Sequence, residues 1–418
     1  MTDKQRQAIA DLLGLDDAYL IIAAVIFCTF FIGFGGGIIF PIIPNLGVIL
    51  GISPVIVGII LSANRFARLL LSAPAGALVD RLGTRTPFVA GMAIQTVATS
   101  GYIVALHAPG PEVWFLIARL GWGVGSALVF ATAYTIASDV SDDRSRGTSM
   151  GLIRGGILFG APTGLVLGGV ISEFAGITTA FVIATALAAL ATLLAILVIP
   201  ETHVEGPPNT SIKPWDVDTS LAALLAGSIN FVLLFVYFGV VFSTMVLVLA
   251  HRDLGIFGMD AQGSSGVFMA LTVITAGLFT FVGGYLSDRF DSRVPVLLTF
   301  LGLTTLGFIL FAQAQSLSAL AIACLLLGTG QGGTSGPLMA LLGDLTADER
   351  MGRAVGTTNV LGDVGGTLGP IISLPLVQVI GFSSLYFLTA LLPLVAAVLL
   401  LIGIRRRTGL LFPSIGDG

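Results

Sequence analysis

Long apolar runs alternate with short polar breaks over nearly all of this 418-residue chain. A helix needs about 20 mostly apolar residues to cross a bilayer. Twelve runs meet that length, at roughly 18–44, 53–79, 86–107, 112–138, 147–173, 177–199, 219–249, 263–287, 293–313, 317–343, 353–379 and 382–404. They are continuous rather than alternating, which excludes a transmembrane β-barrel. The pattern predicts an all-α polytopic membrane protein with twelve transmembrane helices.

The longest polar interruption is Pro200–Asp218, rich in Pro and turn formers, and it reads as a linker between six spans and six spans. The expected organisation is therefore an N-terminal segment 1–17, a six-helix bundle 18–199, a linker 200–218, a second six-helix bundle 219–404 and a tail 405–418. The segment Met1–Asp17 carries four Asp before a long apolar run and does not read as a cleavable signal peptide. An even number of spans puts both ends on one side. With that side cytoplasmic, fourteen of the nineteen Lys and Arg are cytoplasmic and one, Arg252, lies in an outer loop. The remaining four, Arg65, Arg68, Arg119 and Arg154, fall inside spans. The bias predicts cytoplasmic termini in the cell membrane.

Composition agrees with this reading. The chain is 55% hydrophobic and 10% charged, with a mean hydropathy of +1.01. A soluble protein would carry about 25% charged residues. The 54 glycines suit close helix packing in lipid. Cys28 and Cys324 lie in apolar runs and imply no disulfide framework. The three His residues are far apart, no nucleophile–base pair recurs, and no phosphate loop appears in a polar segment. The expectation is a protein that is not an enzyme and needs no cofactor, metal or nucleic acid.

The chain repeats itself. Gly76–Ala–Leu–Val–Asp80–Arg81–Leu–Gly83–Thr84–Arg85 returns 208 residues later as Gly284–Tyr–Leu–Ser–Asp288–Arg289–Phe–Asp–Ser–Arg293. Gly121, Gly123 and Gly125 in span 4 align with Gly328, Gly330 and Gly332 in span 10. Gly147, Gly156 and Gly160 in span 5 align with Gly356, Gly365 and Gly369 in span 11. Two homologous bundles follow.

These motifs resemble the major facilitator superfamily, and its twelve-span drug/proton antiporter-like branch in particular. The loop after span 2 fits the family signature at Gly76, Asp80, Arg81, Gly83 and Arg85, with Thr84 where a basic residue is usual. Arg119 before the glycines of span 4 fits a second signature. Gly147, Gly156, Gly160 and Gly164 fit the antiporter signature of span 5, from which Ala161, Pro162 and Leu165 depart. The resemblance implies two pseudo-symmetric bundles around a cavity lined by spans 1, 4, 7 and 10, with spans 2 and 11, and 5 and 8, meeting between them. It also implies that Gly76, Asp80, Arg81 and Arg85 form a conformational latch, with Asp80 against the N-terminus of span 11. Asp288 and Arg289 would be its weaker copy.

Charges inside a bilayer are costly, so those present face a partner or a cavity. Asp363 is the one carboxylate well inside a span. Counted from the same face, Arg68 and Asp363 lie at about 18 and 15 Å, on spans the family places side by side. An Arg68–Asp363 pair is expected, with Arg65 one turn away as second choice. Asp363 is either a proton carrier or a fixed counter-ion. Arg119 and Arg154 are substrate or coupling candidates, and four cations against one carboxylate favour neutral or anionic cargo. Asn230 and Gln331 lead the polar candidates, though such residues are more often helix–helix hydrogen bonds than ligands. The expected function is a monomeric, proton-coupled exporter of a small organic molecule by alternating access. The alternative is an organic-anion transporter or exchanger using the cavity arginines.

Overall fold

The computed structural model describes residues 17–140, 146–202, 218–290 and 292–414. The sequence candidates Lys4, Arg6, Arg144 and Lys213 lie outside the described residues, as does the side chain of Asp80. Among the described residues there are twelve helical segments long and apolar enough to cross a membrane, from Ala18–Ile49 to Phe382–Thr408.

Two spans are not simple helices. Span 1 is built from helices Asp17–Gly37 and Ile39–Ile49, broken next to the Gly35–Gly36–Gly37 run. Span 7 runs as Leu221–Leu234, then a π-helical stretch Phe235–Phe242, then Ser243–Arg252. The wider π turns free a carbonyl from its usual partner. Here the Gly239 carbonyl receives the hydroxyls of Ser243 and, at 2.5 Å, Ser373. The two hydroxyls also lie 3.0 Å apart. Apolar periodicity carries no trace of this stretch.

The chain forms two compact units: residues 1–39 with 63–214, and residues 40–62 with 215–418. The segment 40–62, which the apolar pattern places in the first bundle, is thus part of the second unit. Its side chains explain why. Asn45 Nδ2 donates to Gln262 Oε1 at 2.6 Å, and Ser62 Oγ donates to the Thr367 carbonyl at 2.5 Å. Phe40 packs its ring 5.5 Å from Phe242.

Within the units the glycine ladders set the packing. In the first, a Cβ at Gly156, Gly160, Gly164 or Gly168 would collide with span 1 at Thr29, Phe30, Phe34 or Ile38. In the second, Gly365 and Gly369 meet span 7 at Phe231 and Gly239 in the same way. Span 5 therefore lies on span 1 as span 11 lies on span 7. The contacts also correct the register of the span 4 repeat. Gly123 meets Asn64 and Ala67 of span 2 as Gly328 meets Thr272 and Thr275 of span 8, and Gly125 meets Gly91 and Gln95 of span 3 as Gly330 meets Phe300 and Thr304 of span 9. Equivalent contacts thus pair Gly123 with Gly328 and Gly125 with Gly330, a spacing of 205. A run of glycines at every second position aligns with itself at several shifts, and only the neighbours choose among them.

Candidate functional site

The first corner of the repeat is the end of the span 2 helix Pro54–Leu82 and the start of the span 3 helix Arg85–His107. Gly83 joins them at φ +79°, a conformation L side chains avoid. A Cβ there would also strike the carboxylate of Glu201. That carboxylate caps span 3. Oε1 accepts the N–H of Thr84 at 2.6 Å and its hydroxyl at 3.1 Å, and Oε2 accepts the N–H of Arg85 at 3.3 Å. A carboxylate at a helix N-terminus satisfies orphan donors and complements the dipole. The Thr202 hydroxyl lies 2.8 Å from that of Thr84 and donates to Asp139 Oδ2 at 2.9 Å, which ties in the end of span 4. Arg85 Nη2 donates to the Ile196 carbonyl at 3.1 Å, and Arg81 is exposed. The start of the linker is thereby fastened to the signature loop.

The second corner is built differently. Arg289 Nη1 donates to the Tyr285 hydroxyl at 2.9 Å. Arg293, whose side chain is 11% exposed, spans two carboxylates: Nε to Asp344 Oδ2 at 2.6 Å and Nη1 to Asp288 Oδ1 at 2.9 Å. The motif that reads as a worn copy in sequence still makes an ion-pair network, with Asp344 at the end of span 10 as its second carboxylate. The far end of the linker is tied as well. The Asp218 N–H donates to Thr357 Oγ1 at 2.8 Å, and Asp218 Oδ1 accepts the Ser220 N–H at 2.8 Å. That N–H holds the Asp218 carboxyl below the usual carboxylate range, helped by Arg350 and Arg353.

The intramembrane candidates separate by unit. In the first, Arg119 is 1% exposed, donates Nη2 to Asn64 Oδ1 at 2.5 Å, and lies 5.8 Å from the Trp122 ring centre. Arg65 and Arg68 are half-buried on span 2, and the Arg68 guanidinium lies 5.7 Å over the Phe130 ring. Arg154 is exposed on span 5. In the second unit, Asn230 Nδ2 donates to the Thr358 carbonyl at 2.9 Å. The same amide abuts Gly362, so it sits on the turn of span 11 that carries the half-buried Asp363. Gln331 Oε1 is buried with no hydrogen-bond partner among the described residues.

The first unit also carries a groove of about 550 Å³ between spans 1 and 5, lined by Ile26, Phe27, Phe30, Leu152, Gly156 and Phe159 among others. Its lining is wholly apolar. No group of three or more His, Cys, Asp or Glu that could hold a metal is present among the described residues.

At the end of span 7, Arg252 is a helix cap rather than a stray charge. It donates to the carbonyls of Phe311, Ala312 and Ala314 at the end of span 9, at 2.7–3.1 Å. Sequence reasoning missed Glu201, Asp139 and Asp344. A Pro–Glu–Thr directly after the last apolar residue of span 6 was the one signal for Glu201, since a lone acid there has little reason to stay free.

The sequence profile described as "Major Facilitator Superfamily" matches residues 25–370 and 233–416. The chain belongs to this family. It is a multi-pass membrane transporter of the major facilitator superfamily. It is 24% identical over 393 residues to the "Multi-drug resistance efflux pump PmrA homolog" of Lactococcus lactis, covering 90% of this chain and 93% of that one. It is 26% identical over 353 residues to the human "Chromaffin granule amine transporter", covering 82% of this chain and 64% of the relative. Among solved structures it resembles a bacterial homolog of the human lysosomal transporter Spinster, with a TM-score of 0.75, 16% identity, and 92% and 96% of the two chains covered. It also resembles a nucleoside transporter, with a TM-score of 0.77, 16% identity, and 91% and 98% covered. The twelve-helix fold of the family is the fold of this chain.

Proposed function

We propose that this protein is a secondary transporter of the cell membrane that exports a small, largely apolar organic molecule in exchange for protons, by alternating access, with both termini cytoplasmic. The observation that carries the reading is Asp363, the one carboxylate well inside a span, on a turn held to span 7 by Asn230. A carboxylate at that depth needs a titratable or ionic role to offset its cost. Arg68, at comparable depth on span 2, is its proposed partner, with Arg65 one turn away. The apolar groove on spans 1 and 5 supports a cargo with a large apolar part, since such sites are mostly apolar with few polar groups. The relatives named multidrug efflux pumps support the direction. The two corner networks would serve as the latch, and Gln331 and Arg119 would act as polar contacts for cargo or coupling.

The test is transport in proteoliposomes under an imposed pH gradient, screened with apolar drugs. Gradient-driven uptake that Asp363→Asn abolishes, with substrate binding retained, is the expected result. Equal transport with and without the gradient in both proteins would remove proton coupling. A second reading, exchange of organic anions, is favoured by Arg154, a cation inside a span yet exposed. Gradient-independent exchange of anions lost in Arg154→Gln would select it.

A further inference from the structure

The last span ends in an ordered hook that neither transport nor the latch uses. Helix Phe382–Thr408 carries Arg405, Arg406 and Arg407 in its final turn, all three exposed. Gly409, at φ +78°, closes the helix by donating its N–H to the Arg405 carbonyl at 2.9 Å. Thr408 Oγ1 donates to the Ile404 carbonyl at 3.0 Å and accepts the Leu410 N–H at 3.2 Å. Directly after this turn, Leu410, Leu411 and Phe412 are 52%, 42% and 52% exposed. Three large apolar side chains in a row, next to three cations, form a surface that bulk water suits poorly.

The helix shows what covers them. Successive residues turn about 100° around a helix axis. Ile404 is buried, so the three arginines fan over the sides turned away from the protein. Higher in the same helix, Val398, Leu399 and Ile402 are exposed at 53%, 42% and 46% on the arc that Arg405 and Arg406 continue. That arc is the one turned toward hydrocarbon within the span. Where it leaves the hydrocarbon it meets the headgroup layer, and there it becomes cationic.

We infer that residues 405–412 form a docking hook for the anionic phospholipids of the leaflet facing the chain's ends. The three guanidiniums bind headgroup phosphates, and Leu410, Leu411 and Phe412 seat at the boundary of headgroups and acyl chains. Guanidinium and phosphate pair bidentately, and a basic cluster beside a span draws anionic lipid. An apolar segment combined with a basic patch supplies the two signals that stable membrane attachment takes. A soluble acidic partner would need the cations gathered on one face, whereas here they spread around the helix end.

The test uses the full-length protein with Phe412→Cys carrying an environment-sensitive fluorophore; Cys28 and Cys324 are buried and stay unlabelled. It is reconstituted in phosphatidylcholine alone, or with about a third phosphatidylglycerol. Blue-shifted emission and protection from an aqueous quencher are expected in the anionic vesicles. Both should fall in high salt and in the triple variant Arg405→Gln, Arg406→Gln, Arg407→Gln. Each arginine is expected to contribute about fivefold in affinity for the anionic surface, by its ~1 kcal/mol attraction there. Unchanged thermal melting of the triple variant keeps misfolding apart from lost docking. Equal protection in phosphatidylcholine, or in the triple variant, would overturn the inference. So would protection induced in phosphatidylcholine by inorganic phosphate alone, which would make the site an anion site rather than a membrane hook.

Discussion

Glu201 offers the sharpest single test of the first corner. Replacing it with Ala strips the acceptor from the N–H groups of Thr84 and Arg85. Thr84 is buried beneath that carboxylate, so the change removes the acceptor that covers its donor. Losing a helix N-cap costs about 0.5–2 kcal/mol, and losing a carboxylate from the positive end of the dipole about 0.3–1 kcal/mol. The sum, about 1–3 kcal/mol, corresponds to a melting shift of roughly 2–10 °C for a unit of this size. The protein carries its own reporters, since Cys28 lies buried in the first unit and Cys324 in the second. A thiol-reactive dye in a Cys324→Ser background reads the opening of the first unit through Cys28. Glu201→Ala should melt earlier by the stated range. Glu201→Gln, which keeps one acceptor, should fall between it and the parent. Thr84→Ala, which removes the hydroxyl contacts to Glu201 and Thr202 while leaving the carboxylate on both N–H groups, should cost less than Glu201→Ala. If Glu201→Ala melts within about 1 °C of the parent, the cap contributes nothing and the reasoning fails.

Two further outcomes follow from the same geometry. A Cβ at Gly160 runs into the Phe30 carbonyl, so Gly160→Ala should cost about 1–3 kcal/mol in melting, whereas Gly151→Ala, with open space around it, should be neutral or stabilising. The Asp218 carboxyl titrates below its ordinary value in the folded state, so it stabilises the second unit above about pH 4 and loses that contribution as pH falls through the lowered folded-state value. Melting read through Cys324 should therefore fall more steeply with acid in the parent than in Asp218→Asn, and parallel curves would remove the claim.

Much of this protein was legible without a fold. Burying a backbone in hydrocarbon forces long apolar helices, and that constraint alone made the spans countable. The repeated corner, from Gly76 to Arg85 and Gly284 to Arg293, announced two related halves. The ladders at Gly156, Gly160 and Gly164 announced close helix contact, because only a missing side chain explains such spacing. Chemistry that depends on one residue type at one spacing leaves a mark in the chain.

The partners left none. Glu201 and Thr84 lie 117 positions apart, and Arg293 and Asp344 lie 51 apart. A hydrogen bond or ion pair between such residues obeys no local period, so only the folded geometry names it. The assignment of residues 40–62 to the second unit rests on Asn45–Gln262 and Ser62–Thr367, which are again long-range. The register of the span 4 glycines was ambiguous in one dimension and was decided by which residues of the neighbouring helices each one touches. Sequence determined what each segment is, because solvent and bilayer act on every residue locally. Tertiary structure decided what each polar group meets, because pairing depends on where the other helices come to rest.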